Sequence, residues 1–251
     1  MPRVIGIISG KGGVGKTVVA INLAAALSKW YRKRVLLVDC NITTSHVGLY
    51  LGLYSTPITL NDALKGAVAV EKTIYNHPCG IDVIPASLKL EDLKDADWNL
   101  VNSKISPLFN NYDFILLDSS PGFNRESIIT MQTCNEVLMV TTPIVHTVAD
   151  IIKCRQLSEE FGVKPLGVVL NMVRKKPYEL STDEVTDMTG LYVLTSVPYD
   201  DKVMESIISK MPVINFHSKV NASFLNLASH LTGGEVRRGD IFSRIKDLLG
   251  F

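Results

Sequence analysis

Cysteine is scarce and scattered: Cys40, Cys79, Cys134 and Cys154 stand far apart, with no Cys-x-x-Cys pair. That spacing argues against a zinc site, an iron–sulfur site and a redox couple, so the four read as reduced thiols. Charge of either sign is nearly balanced, at a net +1. There is thus no overall attraction to nucleic acid or anionic lipid, and any such contact has to come from a local patch. No apolar run approaches the roughly 18 residues needed to span a bilayer. No signal-peptide pattern stands before the first apolar run, because Pro2 and Arg3 lead straight into it, and a cytoplasmic body is the expectation. Internal repeats and low-complexity segments are also missing. What is present, 251 residues with 46% hydrophobic side chains, suffices for one large α/β domain with a full core.

Against that plain background one stretch is specific. Ser9-Gly10-Lys11-Gly12-Gly13-Val14-Gly15-Lys16-Thr17 fits the phosphate-binding pattern G-x-x-x-x-G-K-[ST] through Gly10, Gly15, Lys16 and Thr17, and it carries a second lysine, Lys11. Before it, Val4-Ile5-Gly6-Ile7-Ile8 is a short apolar run that reads as a buried strand; after it, residues 18–30 read as a helix. A strand feeding a glycine loop and then a helix aims backbone N–H groups between Gly10 and Val18 at one point, where the helix dipole also favours negative charge. A triphosphate fits there, with Lys16 on its phosphates.

The rest of the chain alternates. Apolar strands are expected at 35–38, 81–85, 114–117, 137–140, 166–170 and 192–200, which with the first makes about seven to eight. Helices are expected at 88–111, 145–161 and 222–231, with two short ones inside 43–66 and with Trp98, Leu108 and Phe109 facing the core. Most connections are long enough for right-handed crossovers, so the expected fold is a single doubly wound α/β domain with a mostly parallel sheet. Two strands end in an acid, Asp39 and Asp118, where side chains project into the ligand crevice of such a sheet. In a phosphate-loop protein Asp118 is the expected holder of magnesium through a bound water, with the Thr17 hydroxyl a direct ligand. A capping aspartate at a strand-to-helix turn is the plainer alternative.

Beyond Gly233-Gly234 and a polar linker at 235–239, Ile241, Phe242, Ile245, Leu248 and Leu249 fall within one helical arc of about 120°. Ser243, Lys246 and Asp247 take the other side, and Arg237, Arg238 and Arg244 add positive charge. The expected layout is a body over 1–234 and a linker with a C-terminal amphipathic helix over 235–251.

With Lys11 in place, Gly10-Lys11-Gly12-Gly13-Val14-Gly15-Lys16-Thr17 resembles the deviant Walker A motif of the MinD/ParA family of ATPases, and its MinD-like members most. The resemblance runs from the first strand to about Leu231. Asp118-Ser119-Ser120-Pro121-Gly122 is similar to that family's Walker B and switch II, and Asp39 to the magnesium-side acid of its switch I. Val197-Pro198-Tyr199-Asp200, followed by Lys210-Met211-Pro212-Val213, resembles the segment that borders adenine, with Asn171 at the other base-contacting position; ordinary polar strand ends are the alternative. The resemblance implies ATP and magnesium as ligands and two protomers closing face to face around two nucleotides. Lys11 would then reach the phosphates of the other protomer's ATP. Asp150, seven residues after Pro143, matches the aspartate that holds this lysine in MinD-like members, a solvated helix residue being the alternative. The terminal arc resembles the amphipathic helix by which MinD proteins lie on the inner face of the cell membrane. Weak single attachment, strengthened when ATP pairs two chains, follows from avidity. Docking of that helix on the body is the other reading.

One departure stands out. Where MinD and ParA proteins usually have a second aspartate, two residues after the first, this chain has Asn41. That aspartate helps position the attacking water; an amide can orient water but cannot take negative charge or act as a base. The implication is slow hydrolysis and a long-lived dimer, unless an asparagine is normal in a sub-branch such as archaeal MinD-like proteins.

The leading functional expectation is an ATP-dependent, membrane-associated switch that positions division, flagellar or chemosensory machinery and answers to an unidentified protein regulator. The alternative is a ParA-type partition ATPase that binds DNA non-specifically. It requires a basic surface stripe, and Arg174-Lys175-Lys176 is too short to make one. The cysteine spacing argues against a metal-cluster carrier or a nitrogenase-reductase-like donor.

Overall fold

Unbroken apolar strands need cover on both faces, and the chain supplies it. The computed structural model describes residues 2–94 and 96–233. In order they form β1 (Arg3–Ile8), α1 (Lys16–Tyr31), β2 (Val35–Cys40), α2 (Val47–Tyr50), α3 (Leu60–Leu64), β3 (Tyr75–His77), β4 (Ile81–Ile84) and α4 (Val101–Ile105). Then come β5 (Phe114–Ser119), α5 (Arg125–Thr133), β6 (Glu136–Thr141), α6 (Val145–Glu160), β7 (Lys164–Val173), α7 (Thr182–Thr189), β8 (Val193–Pro198), α8 (Lys202–Ile208) and α9 (Asn221–Thr232).

The strands make one eight-stranded sheet in the order β3-β4-β2-β5-β1-β6-β7-β8. It is parallel except for β3, which runs antiparallel to β4 at the edge. Alternation along each strand splits the core in two. Ile5, Ile7, Leu37 and Leu116 pack with α1 and α9 on one face, whereas Val4, Ile8, Leu36 and Ile115 pack with α4, α5 and α6 on the other. The sequence suggests an apolar stripe on α1, yet nearly every residue from Lys16 to Leu27 is buried. The reason is α9, which covers the outer side: Tyr31 Oη donates to the Leu225 carbonyl at 3.0 Å. Nearby, Ile214 N–H donates to Asn22 Oδ1 at 3.1 Å.

The expected helix over 88–111 is corrected. Among the described residues only α4 is α-helical there, between tighter 3₁₀ turns at Leu90–Leu93, Trp98–Leu100 and Ser106–Asn111. Short polar side chains compete for the backbone in this stretch, as when Asp97 accepts from Asn99 N–H at 3.1 Å, and Pro107 lacks a donor. Leu108 is buried as expected, with Trp98 and Phe109 partly buried against the second core. The edge strand β3 was outside the expectation; it brings the count to eight. The linker 235–239 and Ile241, Phe242, Ile245, Leu248 and Leu249 lie outside the described residues. Among the described residues no helix is long and apolar enough to cross a membrane.

Candidate functional site

The carboxyl ends of β2, β5 and β1 meet because these strands are neighbours in register: Asp118 stands opposite Asp39 on one side and opposite Ile7 on the other. The loop after β1 passes over them into α1. Gly15 caps that helix in the left-handed region, φ 83°, with no side-chain capping bond, so first-turn N–H groups stay open to an anion. A Cβ at Gly15 would sit 2.2 Å from Asn171 Nδ2, and one at Gly10 2.3 Å from Asp150 Cβ. Both positions therefore require glycine. Gly122 N–H donates to the Ser9 carbonyl at 2.9 Å, tying the turn after β5 to the phosphate loop.

Beneath the loop, Lys16 Nζ donates to Asp118 Oδ1 at 2.6 Å and Thr17 Oγ1 to Asp118 Oδ2 at 2.7 Å. Asp39 accepts from Asn41 N–H at 3.0 Å, Ser45 Oγ at 2.7 Å and Val47 N–H at 3.1 Å. Both aspartates are 0% exposed. Burial first, and then the charge of Asp118, pushes the Asp39 carboxyl up to about 7 against the pull of those three hydrogen bonds. Of two adjacent buried carboxyls only Asp118 is paired with the ammonium, and the side-chain groups beside them besides Lys16 are the hydroxyls of Thr17 and Ser45. That environment fits magnesium, which prefers hard oxygen ligands, with Thr17, Asp118 and Asp39 as the residues that would hold it. Bound there, the ion would offset phosphate charge.

Asn41 turns its amide into its own loop, Nδ2 donating to the Thr44 carbonyl at 2.7 Å and Oδ1 accepting from Thr44 Oγ1 at 3.0 Å. Thr43 Oγ1 donates to Glu126 Oε1 in the first turn of α5. Lys11 is exposed, as are Gly12 and Gly13, while Val14 is buried. Asp150 stands against Gly10 and pairs with Lys153 Nζ at 3.7 Å rather than with Lys11.

On the far side of α1, Asn171 Nδ2 donates to the Val14 carbonyl at 2.8 Å. Asn171, Pro198, Tyr199 and Asp200 line one pocket of about 100 Å³, so the four residues read as base contacts come together. Its walls are almost wholly apolar, which suits a flat aromatic ring. Tyr199 is stacked under the Arg174 guanidinium, 3.7 Å from the ring centroid. The Asp200 carboxylate faces Ser218, accepting from its Oγ at 2.7 Å. Val18, read with the phosphate loop, also lines this pocket. Met172, Val203, Met204 and Phe224 complete the walls and had no motif to reveal them. Met172 has φ 59°, a conformation that a methionine does not announce in sequence.

A glycine loop between β1 and α1, set over acids at the ends of β2 and β5, defines a P-loop nucleotide-binding protein. Comparison with known proteins narrows this further. Residues 5–213 match the CobQ/CobB/MinD/ParA nucleotide binding domain, and the chain belongs to that family. An uncharacterized ATP-binding protein of Methanocaldococcus jannaschii is 32% identical over 232 residues, covering 92% of this chain and 88% of its own. Among solved structures, the cell division ATPase MinD of Pyrococcus furiosus matches with TM-score 0.89 at 30% identity, over 93% of this chain and 99% of that one. MinD of Pyrococcus horikoshii, solved with Mg-ADP, matches with TM-score 0.88 at 30% identity, over 92% and 96%. The resemblance and the α/β fold read from the sequence both hold.

Proposed function

We propose that this chain is a MinD-like ATPase switch. It binds Mg·ATP at the β1–α1 loop, pairs with a second copy when ATP is bound, and attaches reversibly to a membrane surface through residues 240–251. The attachment positions cell machinery under the control of a protein regulator. The observation that carries the reading is the division of labour between two lysines: Lys16 is buried on Asp118, whereas Lys11 on the same loop is exposed. An exposed lysine at a phosphate site that already has one suits a charge supplied to a neighbour's nucleotide.

In this reading the loop N–H groups and Lys16 hold the phosphates, and Asn171, Pro198, Tyr199 and Asp200 border the base. Thr17, Asp118 and Asp39 hold the ion, and Asp150 steadies Lys11. Turnover by the isolated chain is slow, because Asn41 carries no charge and spends its amide on Thr44. Phosphate release by Asn41→Asp is expected to be several-fold faster than by the natural chain; equal rates would remove that idea.

The test of attachment is sedimentation with vesicles containing anionic lipid, with and without ATP. The full chain is expected to pellet with vesicles when ATP is present, and a chain ending at Gly234 to stay in the supernatant. Retention on DNA by that shortened chain, dependent on ATP, would instead favour the partition reading.

A further inference from the structure

A water that attacks a phosphate needs an acceptor for its own hydrogen, and the obvious groups around this loop are engaged. Asn41 uses both ends of its amide on Thr44. Asp39 receives three hydrogen bonds across its two oxygens. Asp118 is taken up by Lys16 and Thr17. Glu126 differs. Its Oε1 accepts from Thr43, two residues beyond Asn41, while its Oε2 is buried and meets no protein donor. Among the described residues it is the one buried carboxyl oxygen in that condition. An atom closed off in this way is costly to leave unmatched, so it calls for a donor, and a water reaches it only when the exposed Thr43 side of the pair opens.

Glu126 is also carried by the right segment. It sits on α5, whose capping residue Asn124 accepts from Ser120 Oγ at 2.6 Å and from Ser127 N–H at 2.9 Å. The intervening turn is bound to the phosphate loop through Gly122 and Ser9. Pro121 of that turn lies 3.8 Å from where a Cβ on Gly12 would be. The carboxylate bonds the 41–44 loop, and the turn that leads into its helix is tied to the phosphate loop.

We propose that Glu126 is a catalytic residue: Oε2 accepts a hydrogen bond from the attacking water, while Oε1 fixes the 41–44 loop through Thr43. The inference rests on the ATPase reading. In the step, the water oxygen bonds to the γ-phosphorus as the bond from that phosphorus to the β–γ bridging oxygen breaks, and its electron pair leaves on ADP. Both water protons depart on the product as dihydrogen phosphate, so Glu126 orients the water and remains a carboxylate throughout.

The test compares the full natural chain with Glu126→Gln, which keeps size and removes charge. Single-turnover phosphate release from Mg·ATP is expected to fall about 100-fold, within the range typical of such groups. Affinity for Mg·ADP with aluminium fluoride, a mimic of the transferring phosphoryl group, should fall comparably, while affinity for Mg·ADP alone stays unchanged and the melting temperature does not fall. Asn41→Asp added to Glu126→Gln should recover part of the rate, because it returns a carboxylate to the same loop. Thr43→Val, which cuts only the tie, should slow release less than Glu126→Gln. Release by Glu126→Gln at the natural rate would overturn the proposal, as would equal losses of affinity for Mg·ADP and for its aluminium fluoride complex. If the natural chain itself neither binds nor hydrolyses Mg·ATP, the ATPase reading falls with it, and the two failures are told apart.

Discussion

Replacing Lys16 by methionine is expected to abolish ATP binding and to lower the stability of the nucleotide-free chain by about 3–5 kcal/mol, the range for breaking a buried ion pair from one side. The loss arises because Lys16 pairs with Asp118 at 2.6 Å with both side chains almost wholly out of solvent. Asp39 lies alongside, so removing the ammonium leaves two buried carboxyls with no cation. Denaturant unfolding and titration with a fluorescent ATP analogue measure the two effects separately. Lys16→Met combined with Asp118→Asn should regain most of the stability and none of the binding. A single variant as stable as the natural chain would show that the pair contributes little.

The second large effect concerns pH and Asp39. Its carboxyl ionises near the ordinary 3.8 in the unfolded chain but at about 7 in the folded one. Between those values the folded chain holds a proton that the unfolded chain has released, so stability falls as pH rises through the window and levels above about 7. The accumulated loss is on the order of 4 kcal/mol in the absence of magnesium and nucleotide. Asp39→Asn should remove this slope and make the empty chain more stable at pH 8, less about 1 kcal/mol for one hydrogen bond that an amide cannot accept. Burial lowers the His77 pKa, which gives a slope of the opposite sign. The Asp39 contribution is therefore read from the difference between the natural chain and Asp39→Asn, melted at pH 5, 6.5 and 8. Parallel curves for the two would refute it. The same substitution should weaken magnesium-dependent ATP binding, which makes this aspartate a cost to folding kept for the ligand.

What the sequence made legible was what neighbouring residues decide. The phosphate loop needs glycines and a lysine at fixed spacing, and the acids at the ends of β2 and β5 follow directly from apolar runs. Residues 88–111 misled because their apolar side chains are spaced like a helix, while Asp97, Asn99 and Pro107 break the backbone into short turns. All-round burial of α1 could not be read locally, since α9 lies far along the chain. Met172, Val203, Met204 and Phe224 converge on the base pocket only after folding, and no spacing among them signals it. Glu126 was hidden for the same reason: its meaning depends on Thr43, which belongs to another loop.

Arg3 has a consequence for how information crosses the molecule. Its guanidinium holds Glu136 and the Leu231 carbonyl, so α9 ends beside the first residue of β1. The phosphate loop begins at the other end of that strand, about 20 Å away for six residues at roughly 3.3 Å each. Within one protomer, the phosphate loop and Gly233, the last described residue, therefore stand at opposite ends of β1. If the proposed attachment through residues 240–251 holds, nucleotide would govern it by number: one chain would offer one weak anchor, a pair would offer two, and the second would bind at a high effective concentration. The response to ATP would then show a threshold in protein concentration, with a steepness that a local contact between nucleotide and tail would not produce.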